Sequence, residues 1–399
     1  MKTKLFILFS LNLWIWGSPS LMAQSKDIEK THPYGILIDT HNDVLSEVSM
    51  KGRRIDQDLA GISQSDLARF KKGGVDVQIF SIFCDNRFGR DTAFKYANIE
   101  MDSLMATIQR NPSKMELVRN PRELKEAVQK GKLGCMMGVE GGHMIEDKIE
   151  NLESFFSRGV RYMTLTWNNS TSWASSAMEE TDGSLKNPKK GLNDFGKEIV
   201  RKMNDLGMIV DISHVGEQTF WDAIHTSRKP VIASHSCVYR LSPVYRNLKD
   251  DQIKAIAKNG GVIQINFYSA FLDSTYNRKM DGIAKNHPRE LDSLQAKKSP
   301  IYEIRGYFSK KYPQEIQSIR PPLSLLIDHI DYIVKLVGID YVGLGSDFDG
   351  IESAPIGLDG VLDFPKITQA LLDRGYSVKD IQKIRGGNFL RVFEANSKK

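Results

Sequence analysis

The stretch GILIDTHND, residues 35–43, is an apolar run that stops on His41 and Asp43. Four other runs end the same way. LGCMMGVEGG (133–142) reaches Glu140, GMIVDISH (207–214) His214, KPVIASHS (229–236) His235, and YVGLGSDFDG (341–350) Asp347 and Asp349. Continuous Val/Ile/Leu/Met runs, unlike alternating ones, read as strands buried on both faces, the pattern of a parallel sheet. Eight such runs occur, at 35–40, 75–83, 133–139, 160–166, 208–212, 230–234, 261–267 and 341–345.

Helical patterns fall between the runs. SDLARFKKGG (65–74) carries a polar start and a glycine stop, and EDKIENLESFFSRG (146–159) sets Ile149, Leu152, Phe155 and Phe156 on one face. Two more helices, at 366–374 and 378–395, close the chain. Strand and helix alternating eight times predict a TIM-like (β/α)8 barrel, with a doubly wound open sheet as the alternative. In a barrel the strand C-termini converge on one face, so side chains two hundred positions apart can share one ion. Ligand-type residues at those ends mark a barrel of the metallo-dependent hydrolase type. Residues 272–322 break the rhythm: they are polar, Lys-rich and punctuated by prolines, between the seventh and eighth runs. About fifty residues is too long for a passive connection. The segment leaves from the expected catalytic face, as a lid or as a peripheral insertion.

Composition bounds the partners. The chain has 399 residues, 41% hydrophobic and 26% charged, with a formal charge of +6. Lysines and arginines are interspersed with acids, which reads as a solvated surface and not a nucleic-acid face. Lys2 and Lys4 precede an apolar run from Leu5 to Trp16, and small residues near Ala23 suit cleavage before Gln24. Residues 1–23 therefore read as a signal peptide and 24–399 as a single barrel domain, exported to a periplasmic or extracellular compartment. The run is too short to span a bilayer, so no membrane span is expected in the mature form. Three cysteines, Cys84, Cys135 and Cys237, leave at least one thiol free, and none has zinc-finger spacing.

The chemistry follows from the run ends. His41 and Asp43, two apart in extended chain, leave the same side of the backbone and can share an ion. His214 and His235 end successive runs, each after a serine. Imidazole with carboxylate suits zinc, and manganese is compatible. Glu140 can bridge two ions through its two oxygens. The ligands then divide into His41, Asp43 and Glu140 for one ion, and Glu140, His214 and His235 for the other. Open positions on each leave room for water, and two ions on one water supply hydroxide near neutral pH. Asp347 is placed to pass a proton from the nucleophile to the leaving amine, and Asp349 to hold the Gly350 turn. His143 reads as a neighbour of the ligands; His225 and His329 read as structural.

The motifs DTHND, GVEGGH, RYMTLTWN, DISHVG, SHS, INFY and GLGSDFDG, in this order over residues 36–350, resemble the membrane dipeptidase (renal dipeptidase) family. The resemblance implies a distorted barrel, two zinc ions and hydrolysis of dipeptides. It assigns His41 and Asp43 to one zinc, His214 and His235 to the other, Glu140 as bridge and Asp347 to proton transfer. It also implies an arginine for the substrate's terminal carboxylate, eleven residues after the second zinc histidine, which here is Arg246. Bidentate capture of a free carboxylate restricts an enzyme to short peptides; Arg240 is the competing candidate. The family is dimeric, so a homodimer is implied, although no stretch here reads as an interface. One position departs: many members carry a histidine where this chain has Trp167, followed by Asn168. Indole donates one hydrogen bond and does not titrate, so carbonyl polarisation falls to the metals or to Asn168. Two alternatives stand beside the dipeptidase. One is a two-metal amidohydrolase acting on lactams, lactones or other small amides. The other is a metal-loaded binding protein that has lost turnover.

Overall fold

The computed structural model describes residues 32–89, 91–186 and 189–398. The expected signal peptide, residues 1–23, lies outside the described residues. Nine strands form one parallel sheet: β1 (Ile38–Asp39), β2 (Val77–Ile82), β3 (Met115–Leu117), β4 (Leu133–Glu140), β5 (Val160–Thr164), β6 (Ile209–Asp211), β7 (Ile232–Ser236), β8 (Val262–Ile265) and β9 (Val342–Leu344). Eight of them run in the order β1-β2-β4-β5-β6-β7-β8-β9. The ends of this path meet: Thr40 N–H donates to Leu344 O, Asp347 N–H to His41 O (3.0 Å), and Asp43 N–H to Phe348 O (2.9 Å). These bonds close the eight-stranded path into a barrel, with β3 hanging outside it on β4 alone.

Each of the eight expected runs holds a barrel strand. The ninth strand, β3, is not anticipated, because three residues, MEL, give no run to detect. It pairs with Leu133–Cys135 below the point, between Met137 and Gly138, where the register of β4 against β5 shifts. Gly138 has a steric reason. A Cβ there would lie 2.0 Å from the Tyr162 ring, so only glycine lets that ring cross the barrel interior.

Ile38, Ile79, Met136, Tyr162, Ile209 and Ile232 belong to one buried cluster. Side chains from six successive strands can meet only inside the barrel, where they form its apolar floor. Above it lies a polar layer. Asp211 accepts from Thr164 Oγ1, Ser213 N, Ser234 N and Ser234 Oγ at 2.5–3.1 Å. Asp39 accepts from Ser346 N and Oγ at 2.8 and 2.7 Å. These bonds tie strand ends to one another beneath the catalytic face.

Residues 272–322 lie between β8 and β9 and are mainly helical, with helices at Tyr276–Asn286, Pro288–Ala296, Ile301–Lys311 and Pro313–Ile319. Their prolines are starts as much as breaks: Pro288 and Pro313 occupy the first helical turn, where a missing N–H costs nothing. Tyr276, Met280, Ile304, Phe308 and Ile316 give the segment its own small core. The last expected helix, 378–395, is interrupted. A π-type turn at Lys383–Gly387, carrying the Gly386–Gly387 pair, separates Val378–Gln382 from Asn388–Asn396. Cys84, Cys135 and Cys237 are buried and unpaired. Among the described residues, no helix is long and apolar enough to cross a membrane.

Candidate metal centre

The strand ends bring His41, Asp43, Glu140, His214, His235 and Asp347 together. His41 Nε2 lies 3.4 Å from Asp43 Oδ2, 3.3 Å from Glu140 Oε2 and 3.9 Å from Asp347 Oδ1. Glu140 presents its other oxygen, Oε1, to His214 Nε2 at 3.0 Å and to His235 Nε2 at 3.4 Å. One carboxylate therefore faces two groups of nitrogen ligands. His41 with Glu140 and His235, and His41 with Asp43 and Asp347, each place ligand atoms within 4.8 Å of one another. The backbone is set for this: His214 and Asp347 both hold left-handed φ, near 64° and 63°. Gly350 permits the approach as well, because a Cβ there would sit 2.2 Å from Asp43 Oδ2.

Hydrogen bonds fix which way each imidazole faces. Tyr162 OH donates to Thr40 O (3.0 Å), so its oxygen accepts from His41 Nδ1–H (2.9 Å). Ser234 Oγ donates to Asp211, so it accepts from His235 Nδ1–H at 2.8 Å. His214 Nδ1–H donates to Asn168 Oδ1 at 3.1 Å. All three Nε2 lone pairs then point into the same space as the carboxylates. His41 Nε2 and Asp43 Oδ1 are buried with no hydrogen-bond partner. Buried polar atoms are ordinarily satisfied, and these donors suit a cation. Three carboxyl groups facing three imidazole nitrogens form a donor set that suits divalent cations.

Ionisation states carry the same strain. Burial pushes Asp347 well above the usual carboxylate range; Asp43 and Glu140 push it the same way, while His41 and the Asn266 amide pull it down. Burial would raise Glu140 too, but His41, His214 and His235 outweigh it and hold this carboxyl low. Burial, helped by the charge of Arg246, drives His214 down to about 4.

A cavity of about 860 Å³ opens above the ligands, and Arg246, Trp167, Tyr302 and Arg305 are among its walls. Arg246 is 4% exposed, donates to His235 O (3.2 Å) and lies 5.1 Å over the Phe271 ring. Its Nε has no partner. Arg240 lies on the exposed surface and is not among the cavity's walls. Asp347 Oδ2 accepts from Asn266 Nδ2 at 2.8 Å. Asn266 was not singled out in the sequence, although the INFY motif contains it.

Asp349 departs from expectation. Its carboxylate accepts from Gln64 N (2.7 Å) and its N–H donates to Gln64 Oε1 (2.6 Å), so it pins a distant loop. The Gly350 turn is closed instead by Gly350 N–H on Asp347 O. His143 Nε2–H donates to Cys84 O at 3.0 Å, and not to a ligand. His329 is buried between Val238 N and Leu272 O. Glu100, also not anticipated, is fully buried and accepts from Phe83 N at 2.8 Å; burial, then Asp43 and Glu140, raise its carboxyl well above the usual range.

Fold and side chains define a class: a metal-dependent hydrolase on a (β/α)8 barrel. The membrane dipeptidase family (peptidase family M19) matches residues 22–399. An uncharacterized dipeptidase of Schizosaccharomyces pombe is 30% identical over 382 residues, 90% of this chain and 80% of that protein. The probable dipeptidase PvdM of Pseudomonas aeruginosa superposes with a TM-score of 0.75 at 26% identity, over 94% of this chain and 98% of its own. A metallopeptidase of Rhodobacter sphaeroides, solved with a phosphinate mimic of the dipeptide L-Ala-D-Ala, shares the fold with a TM-score of 0.72 at 22% identity, over 91% of this chain and 99% of its own. The chain belongs to the membrane dipeptidase family and is a metallo-dipeptidase.

Proposed function

We propose that this enzyme is a zinc dipeptidase with two ions per chain, which cleaves dipeptides bearing a free C-terminal carboxylate. His41, Asp43 and Glu140 would hold one ion; Glu140, His214 and His235 the other. The observation that carries this reading is the division of Glu140, one oxygen toward His41 and one toward His214 and His235. When bound, such a pair of cations lowers the pKa of a water between them and polarises the scissile carbonyl.

The chain's own residues do the rest. Arg246 would orient the substrate by its terminal carboxylate. Its guanidinium is buried, keeps an unpartnered Nε and lines the cavity. A charge pair in such a site is hydrogen-bonded and desolvated, which makes it selective. Asp347 would carry the proton. Asn266 occupies its Oδ2 and leaves Oδ1 toward His41 and the ligands, and burial raises its affinity for a proton. That combination suits a group that takes a proton from water and returns it to the leaving amine. Trp167 supplies no titrating group, and Asn168 is engaged by His214, so no imidazole assists at the carbonyl from the end of β5. Lys2, Lys4 and the apolar run to Trp16 support export of the mature chain.

The test compares a dipeptide with its C-terminal amide, on zinc-loaded and chelator-treated protein, beside elemental analysis. Two zinc ions per chain are expected, with activity lost on chelation and restored by zinc. The amide should turn over about 10- to 100-fold more slowly, the worth of one hydrogen-bonded charge. Equal rates on both substrates would remove the role of Arg246, and full activity with a single ion would remove the two-ion centre.

A further inference from the structure

The two ends of the cavity have opposite chemistry. Going round the barrel, Phe83 follows β2 and Trp167 follows β5, with Glu140 at the end of β4 between them. Arg246 follows β7 and Phe271 lies beyond β8, on the facing side of the mouth. The ring centroids of Phe83 and Trp167 are 4.9 Å apart, and Tyr302 meets Trp167 edge-on at 6.1 Å. All three line the cavity. Tyr302 comes from the inserted helix Ile301–Lys311, so the insertion builds part of this wall.

Tyr302 is held in place. Its hydroxyl donates to Asp85 and accepts from Arg87 Nη2 at 3.3 Å. Arg87 also pairs with Asp85 at 2.9 Å and with Glu303 at 3.0 Å. Two carboxylates and one guanidinium therefore lie beside the rings, each already engaged: Asp85 by Tyr302 and Arg87, Glu303 by Arg87.

We propose that Phe83, Trp167 and Tyr302 receive the side chain of the substrate's N-terminal residue and select large apolar or aromatic groups. This rests on the dipeptidase reading. A dipeptide whose carboxylate sits at Arg246 and whose scissile carbonyl lies by the metal ligands must direct its N-terminal residue to the side away from Arg246. There it meets ring faces and edges, which pair well with another ring. A carboxylate placed there loses hydration and faces Asp85 and Glu303, and an ammonium gives up its hydration against ring surfaces. The end of β5, where Trp167 stands, is thus part of a specificity wall in this chain.

The experiment measures kcat/KM of the zinc-loaded full chain on Xaa-Ala dipeptides with Xaa as Ala, Phe, Lys and Asp. Phe-Ala should exceed Ala-Ala, Lys-Ala and Asp-Ala by at least tenfold. Free phenylalanine should inhibit competitively at lower concentration than free aspartate. Tyr302 is 41% exposed, so truncating it leaves the core intact; Tyr302→Ala should cut the Phe-to-Ala preference at least threefold, and Tyr302→Phe should retain most of it. Hydrolysis of all four within twofold, a preference for Lys through cation–π contact, or a preference untouched by Tyr302→Ala overturns the wall while the dipeptidase reading stands. Hydrolysis of none of them overturns both.

Discussion

The Nε2 atoms of His214 and His235 face one another across 2.9 Å. Each ring already donates from Nδ1, to Asn168 and to Ser234, so two lone pairs meet. A proton could join them, but burial holds His214 down to about 4 and His235 well below its usual value. Near neutral pH the contact calls for a cation, and Glu140 Oε1 stands beside both nitrogens. Metal and fold are consequently linked: the same polar layer that aims these rings repels itself without an ion.

Chelation should therefore lower the melting temperature. Zinc at a thousandfold excess over its Kd adds about 4 kcal/mol, several degrees for a chain of this size. His214→Ala should bind one ion fewer by elemental analysis and show a smaller zinc-dependent shift. A melting curve indifferent to chelator would mean that the cluster is satisfied by protons alone.

Asp347→Asn separates proton transfer from ligation. Asp347 Oδ1 is within ligand reach of His41 and Asp43, yet the proposed role needs only its proton. Asparagine preserves shape and the contact with Asn266, but cannot accept and release a proton at neutral pH. The variant should keep two ions and lose about 10²- to 10⁴-fold in kcat. Loss of an ion along with activity would make Asp347 a ligand instead.

Much of this centre was legible because ligands sit where apolar runs stop, and a parallel barrel gathers such stops. What stayed hidden has identifiable causes. Tyr162 lies inside an apolar run and reads as core; its role depends on Gly138 and on a histidine 121 positions away. Asp349 reads as a local turn residue because its partner, Gln64, is 285 positions distant. Glu100 sits among polar neighbours, but its spacing from Ala93, Ala97 and Leu104 puts it on the buried face of its helix, and that spacing was the available signal. The departures are thus long-range pairings, which periodicity does not record.

His329 sets a pH dependence apart from the metals. Burial pushes it down to about 4 from an ordinary value of 6.5. The unfolded chain takes up this proton below 6.5 and the folded chain does not, so the contribution is complete above 6.5 and is lost as pH falls toward 4. At pH 5 the loss relative to pH 8 is about 2 kcal/mol. In urea unfolding at the two pH values, His329→Asn should be weaker at pH 8, where Val238 N–H and Leu272 O lose their partner. Its stability should then fall less than the wild type's on acidification, by about that 2 kcal/mol. Parallel losses in both proteins would assign the acid sensitivity elsewhere.

Tyr162→Phe tests whether the orientation of His41 matters as much as its presence. The hydroxyl accepts from His41 Nδ1–H and donates to Thr40 O, all three residues being buried. Phenylalanine keeps the ring that fills the space over Gly138, so the packing penalty is small and the polar one dominates. Two buried groups lose their partner, a cost of about 1–3 kcal/mol for each. More telling is the metal: partners that fix a ligand's tautomer are worth about 10- to 100-fold in affinity. Without Tyr162 the neutral ring can carry its proton on Nε2, facing Asp43 and Glu140, where it would compete with the ion. Zinc affinity should fall by that factor, and excess zinc should restore most of the activity. A variant with unchanged zinc affinity would show that the ion itself sets the tautomer of His41, without help from Tyr162.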